Sequence, residues 1–143
     1  MKYGFYGADT KAVRPITKEF EKVKDQRHLY ELLSGIWCEY TCAPRLRPEW
    51  SESNKTLGQC SITAFLVQDI FGGEVYGVPL ANGGYHCYNV TQGVRFDLTS
   101  EQFGGEKLFF DDLHPQDRAT HFADEEKRAR YLYLRDHLKE LLK

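Results

Sequence analysis

The chain has 143 residues, enough for one domain that buries roughly two-thirds of its unfolded surface without a metal or disulfide. Its 19 basic and 21 acidic residues give a net charge of −2, and 28% of residues are charged. That balance disfavours a strongly basic nucleic-acid binder and a highly charged disordered chain.

Gly4, Gly7 and Pro15 make residues 1–17 irregular. Thr17 is placed to cap a helix over 18–33, with Glu19 and Glu21 in its first turn. Phe20, Val23, Leu29, Tyr30 and Leu33 supply its apolar face, and Gly35 follows. Pro44 and Pro48 predict a loop over 43–58 with one helical turn, anchored by Trp50. Residues 61–71 form a second helix that is apolar on most sides, hence buried, and Gly72-Gly73 ends it. A strand is predicted over 74–80, then a glycine loop at Asn82-Gly83-Gly84. Strands over 85–90 and 94–98 form a hairpin through Thr91-Gln92-Gly93. Residues 104–117 read as loop with short elements. Asp124 is placed to cap a final helix whose stripe is Tyr131, Leu134, Leu138, Leu141 and Leu142. The pattern is α+β, helices packed against a small antiparallel sheet, in a single domain over 1–143.

No apolar run approaches the roughly 18 residues of a membrane span. Met1-Lys2-Tyr3-Gly4-Phe5 has no apolar leader core, so a cytoplasmic chain is expected, with its four cysteines as free thiols. Residues 51–110 are poor in charge and hold most of the glycines, which makes them the place to look for a site.

Cys60 stands where the second helix begins. A helix start presents unpaired N–H groups and a partial positive charge, both of which favour thiolate and can stabilise an oxyanion. A thiol there needs a base, and His86 lies on a later strand. Asp97 lies on the partner strand of the hairpin. A two- or four-residue turn puts His86 and Asp97 on the same sheet face; a three-residue turn puts them on opposite faces. In the favourable register Asp97 orients His86, which in turn serves Cys60.

The order Cys60, His86, Asp97 resembles the papain and transglutaminase-like enzymes. The stretch from His86-Cys87-Tyr88-Asn89 to Asp97-Leu98-Thr99 is similar to their His-x-aromatic and Asp-x-Thr arrangement. More narrowly, the chain resembles the bacterial YunG-like family. Gly58-Gln59-Cys60, Thr63-Ala64, Gln68-Asp69, Phe71-Gly72-Gly73-Glu74, His86, Asn89, Asp97-Leu98-Thr99 and Gln102-Phe103 carry that resemblance, which is best over 50–103. Cys87 stands where the family leads one to expect an aromatic residue. The wider resemblance implies a papain/transglutaminase-like core and a cysteine hydrolase or acyltransferase. Gln59, Asn54 and Asn89 are then the candidate oxyanion or substrate-binding side chains. Asn54 occupies the position of the glutamine that papain-like proteases carry six residues before the cysteine.

The expected partner is a small-molecule or peptide substrate. Nucleic acid, membrane, metal and cofactor are not expected, because the glycine pairs lack phosphate-motif spacing and Cys38-x-x-x-Cys42 has no second cysteine pair. Gln68 and Asp69 are expected to brace the site from behind; Trp37, Tyr40 and Trp50 are expected to pack in the core. The alternative is a non-catalytic binding domain in which Cys60, His86 and Asp97 form a buried polar network.

Overall fold

A computed structural model describes residues 3–143. The first helix is shorter than the sequence pattern predicts. Lys18–Phe20 is only a 3-10 turn, and Thr17 makes no capping bond. Helix α1 (Gln26–Ser34) begins after Asp25, whose carboxylate accepts from the His28 amide at 2.9 Å. The Asp25 cap decides the boundary, because a capping carboxylate satisfies an amide that Thr17 leaves alone. Gln26 is buried and ties the N-terminal segment down. It accepts from the Val13 amide at 2.9 Å and donates to the Lys11 carbonyl at 2.8 Å.

After a 3-10 helix at Pro44–Glu49, helix α2 (Cys60–Phe71) runs through the interior. Every residue from Ile62 to Val67 is buried, as are Ile70 and Phe71. A helix apolar around most of its circumference is stable only when neighbours cover it on all sides. Those neighbours are the sheet and the C-terminal helices.

The sheet has three antiparallel strands in the order β1 (Glu74–Pro79), β2 (Tyr85–Thr91), β3 (Val94–Phe96). Central β2 is largely buried. Asn89 donates to the Ala64 carbonyl at 2.9 Å and Thr91 to the Phe71 carbonyl at 3.0 Å, so residues 87, 89 and 91 face α2. Residues 86, 88 and 90 face the other way. Thr91 pairs with Val94, which leaves a two-residue turn, Gln92-Gly93. The sequence suggested three residues; Thr91 stays in the ladder because its hydroxyl is fixed on α2. Gln92 and Gly93 have φ of 51° and 82°, the paired left-handed geometry that suits a tight hairpin.

Beyond the sheet come a 3-10 turn at Ser100–Phe103 and helices α3 (Arg118–Phe122) and α4 (Glu125–Leu141). Helix α3 had no apolar periodicity to announce it, but Asp117 caps it by accepting from the Thr120 amide at 2.9 Å. Asp124 caps α4 as expected, accepting from the amides of Glu126 and Lys127. Tyr131, Leu134 and Leu138 are buried, whereas Leu141 is 54% exposed because the stripe leaves the core at the last turn. Behind α2, Arg118 donates to Asp69 at 2.8 Å and to Gln68 at 3.3 Å, and the Tyr131 hydroxyl also bonds Asp69.

The core gathers Phe5, Val13, α1, α2 and the inner face of α4. Trp37 is in it, donating to the Thr63 hydroxyl at 3.0 Å. Trp50 is only half-buried, and Tyr40 is 44% exposed, against expectation. Tyr40 instead packs its ring on Tyr133 and under the Arg47 guanidinium at the surface. Among the described residues no helix is long and apolar enough to cross a membrane.

Candidate active site

Cys60 is the first residue of α2. The loop before it turns at Gly58, with φ of 73°. A Cβ at that position would lie 2.5 Å from the Cys42 sulfur, so Gly58 allows the chain to pass close to residues 42 and 43. Its role is close backbone packing at the edge of the cleft. The side chain of Gln59 makes no capping bond. The first-turn amides of α2 therefore keep free donor capacity beside the Cys60 thiol.

The two-residue turn sets the hairpin so that His86 lies diagonal to Asp97 on one sheet face. His86 Nε2 and Asp97 Oδ2 are 2.6 Å apart, and both side chains are buried. Asp97 Oδ1 accepts from the Thr99 amide at 3.0 Å and the Thr99 hydroxyl at 3.2 Å. The Asp97 amide donates to the Tyr6 carbonyl at 2.9 Å, which extends the sheet edge past β3. The edge of the Phe103 ring meets the His86 ring at 4.6 Å between centroids, with planes at 88°. Imidazole position and tilt are thus fixed, and Nδ1 remains as the nitrogen available to the thiol.

The electrostatics follow from these contacts. Burial disfavours the His86 imidazolium, but the Asp97 charge and hydrogen bond and the Cys60 contact outweigh it and raise the pKa to about 10. The Cys60 thiol is held well below the usual thiol range. A hydrogen bond from Cys87 is the largest cause, burial opposes it, and the His86 hydrogen bond and charge add to the lowering. The Cys87 thiol is pushed well above its usual range by that same contact with Cys60 and by burial. The favoured state is a Cys60 thiolate facing a His86 imidazolium, with Cys87 keeping its proton as donor.

Cys60 and His86 both line an open cleft of about 680 Å³. Residues 43–46, 57–58, 102–103 and the start of α4 form its walls. His121 is among the lining residues. Its Nδ1 is 3.0 Å from the Lys127 ammonium and its Nε2 is 2.9 Å from Gln116 Oε1. Burial and the Lys127 charge lower its pKa, so it is a neutral imidazole bonded at both nitrogens.

The three expected oxyanion side chains do not line this cleft. Asn54 lines a separate hollow with Tyr30, Ser34 and Trp37, because the 51–54 turn carries it away from Cys60. Gln59 is buried and donates to the Cys38 carbonyl at 3.2 Å. Asn89 is on the α2 face of the sheet, committed to Ala64. Gln102, Phe103, His121 and Lys127 line the cleft without having been singled out as site residues. Gln102-Phe103 carried part of the family resemblance; His121 lies in a stretch with no periodicity to place it. Among the described residues no group of three or more His, Cys, Asp or Glu side chains suits a metal ion.

Residues 25–143 match the family described as YunG protein. The chain belongs to the YunG family. A relative from Bacillus subtilis (strain 168), described as "Uncharacterized protein YunG", is 34% identical over 76 residues, covering 53% of this chain. The match spans 61% of that relative's length. No solved structure matches the chain. The YunG-family region opens at Asp25, the cap of α1, and contains the whole of α2, the sheet and the Cys60–His86–Asp97 cluster. The observed architecture is α+β, with a three-stranded sheet; no solved neighbour extends this to a papain-like core.

Proposed function

We propose that this YunG-family chain is a cysteine-nucleophile enzyme, a hydrolase or acyltransferase acting on an amide or thioester. The observation that carries the reading is a half-buried thiol at a helix start, on an open cleft, beside an imidazole whose far nitrogen is bonded to a buried carboxylate. The order Cys60, His86, Asp97 on helix start, strand and following strand supports a likeness to papain- and transglutaminase-like enzymes.

In this mechanism the Cys60 thiolate attacks the acyl carbon and forms a C–S bond, and the carbonyl electron pair moves to oxygen. Backbone amides of the first turn of α2 donate to that oxyanion, in place of the side chains suggested by the sequence. The oxyanion collapses, the C–N or C–S bond to the leaving group breaks, and His86 donates its proton to the departing atom. Neutral His86 then takes a proton from water or an acceptor amine, which attacks the thioester and releases Cys60 as thiolate. Asp97 stabilises the imidazolium in both steps and stays ionised.

The test is the rate of iodoacetamide labelling of Cys60 against pH, read for each cysteine by mass spectrometry. The expected midpoint lies well below about 8.5, the ordinary thiol value, and it moves toward that value in His86→Gln. Glutamine keeps an amide donor for Asp97, so the variant removes the imidazolium without stranding a buried carboxylate. A wild-type midpoint near 8.5 that the substitution leaves unchanged would overturn the proposal.

A further inference from the structure

The ionisable side chains around the cleft are unevenly committed. Asp124 accepts from the amides of Glu126 and Lys127 at 3.0 and 3.2 Å. Glu126 is bonded by two arginines: Arg130 Nε at 2.8 Å and Arg47 at 3.0 Å. Arg130 is buried and its guanidinium also donates to the Thr41 carbonyl at 2.9 Å. Glu126 is therefore paired with two arginines, and Asp124 is engaged through Oδ1 as the cap of α4.

Two cations remain. Arg45 lines the cleft, is exposed, and makes no hydrogen bond or ion pair among the described residues. Lys127 lines it too, half-buried, and uses one of its three donors on neutral His121. The His86 imidazolium is already paired with Asp97, so Arg45, Lys127 and the first-turn amides of α2 are the positive groups left to face a ligand beside the Cys60 thiolate. Leu46, Leu57 and Phe103 line the same cavity and offer apolar contact.

We infer that the cleft selects an acyl substrate carrying a carboxylate, with Arg45 and Lys127 as the groups that bind it. The inference rests on the acyl-transfer reading of Cys60 and adds the substrate class to it. A guanidinium with no intramolecular partner meets a carboxylate with a two-bond fork, and a half-buried ammonium adds a point charge in a partly water-excluded site. A cationic substrate group would meet Glu126 already paired with two arginines and Asp124 already engaged at the start of α4.

The two alkylating reagents iodoacetate and iodoacetamide differ in one carboxylate and serve as probes. Their rates at Cys60 are measured at pH 9, where even an ordinary thiol is largely ionised. The iodoacetate-to-iodoacetamide ratio is compared with that of a short cysteine peptide. The expected ratio exceeds the peptide's by about tenfold and falls as salt is raised from about 0.05 to 0.5 M. Arg45→Glu lowers the iodoacetate-to-iodoacetamide ratio by about tenfold, and Lys127→Met gives a smaller fall in the same ratio. Arg45 lies at the surface, so its substitution leaves the core intact. A ratio that neither substitution changes overturns the inference. Loss of activation appears separately, as slow labelling by both reagents at pH 7 with the pH 9 ratio still readable.

Discussion

Two aspartates serve the same face of the sheet and do different work. Asp97 meets His86, and Asp112 meets Arg95 and Tyr88, which are on the face that His86 shares. The Asp97 side chain is 2% exposed and that of Asp112 is 25% exposed. Arg95 holds Asp112 with two donors, Nε at 2.9 Å and Nη2, and the Tyr88 hydroxyl donates at 2.6 Å while accepting from the Asp112 amide. The Arg95 bond is the main reason the Asp112 carboxyl sits below its usual pKa. That cluster fastens the chain after residue 104 to the sheet, and water can replace much of what it offers. Water cannot reach the Asp97 contact, so there the carboxylate decides whether a neighbouring ring carries a proton. Burial turns the same chemical group from a fastener into a control on the charge of its neighbour.

The largest separation between the two is expected from paired substitutions. In Asp97→Asn, burial acts on His86 with the carboxylate charge gone, so the His86 pKa falls and the Cys60 thiolate loses its cation. Labelling of Cys60 by iodoacetamide at pH 6 should fall by about tenfold, as expected when a largely ionised thiol becomes largely protonated at that pH. If Asp112→Asn produces the same fall, the field of the whole sheet face, rather than the direct contact, governs Cys60.

Cys87→Ala removes the largest influence lowering the Cys60 pKa. The labelling midpoint should rise by about one to two pH units, the worth of a hydrogen bond to a charged group. Cys87→Ser keeps a donor and should move it less. Equal shifts in the two variants would show that packing, and not the hydrogen bond, is at work.

The wild type provides a pH test. Thiolate capture by iodoacetamide needs no proton from His86 and should persist at high pH. Acyl transfer needs the His86 proton for the leaving group, so its rate should decline as pH rises through about 10. An acyl-transfer rate that stays flat to pH 11 would remove His86 as the proton donor.

The smallest effect belongs to Asp112→Asn. Asp112 has φ of 58°, a left-handed conformation that asparagine also tolerates, so the substitution tests charge with little backbone strain. Stability to urea should drop by about 1 kcal/mol, the scale of a partly exposed ion pair, with the Cys60 labelling profile unchanged.

Much of the fold was legible because it is written in short-range patterns. The apolar circumference of α2, the Asp124 cap and the residues at the hairpin tip each act on neighbours within a few positions. The same locality explains the choice of Cys60, a thiol at a helix start, and of His86 and Asp97 on adjoining strands. Phe20 and Val23 fit the apolar face predicted over 18–33, but Asp25 starts the helix later, and both are buried ahead of it, Phe20 in the 3-10 turn. Gln59 and Asn89 are near Cys60 or His86 in sequence, and Asn54 stands at the position of the papain-like glutamine, yet none of the three lines the cleft. Sequence distance does not state where a side chain points.

The sequence by itself determined the buried helix α2, the three strands in order and the capped helix α4, and it offered Cys60, His86 and Asp97 as candidates. Only the tertiary structure decided the rest. The Thr91 bond to α2 shortened the turn and so chose the face on which His86 meets Asp97. The packing of β2 on α2 brought Cys87 against Cys60. The docking of α4 supplied Lys127, Arg130 and the far wall of the cleft. Each of these depends on contacts between residues far apart in the chain, where no local propensity or spacing carries the information.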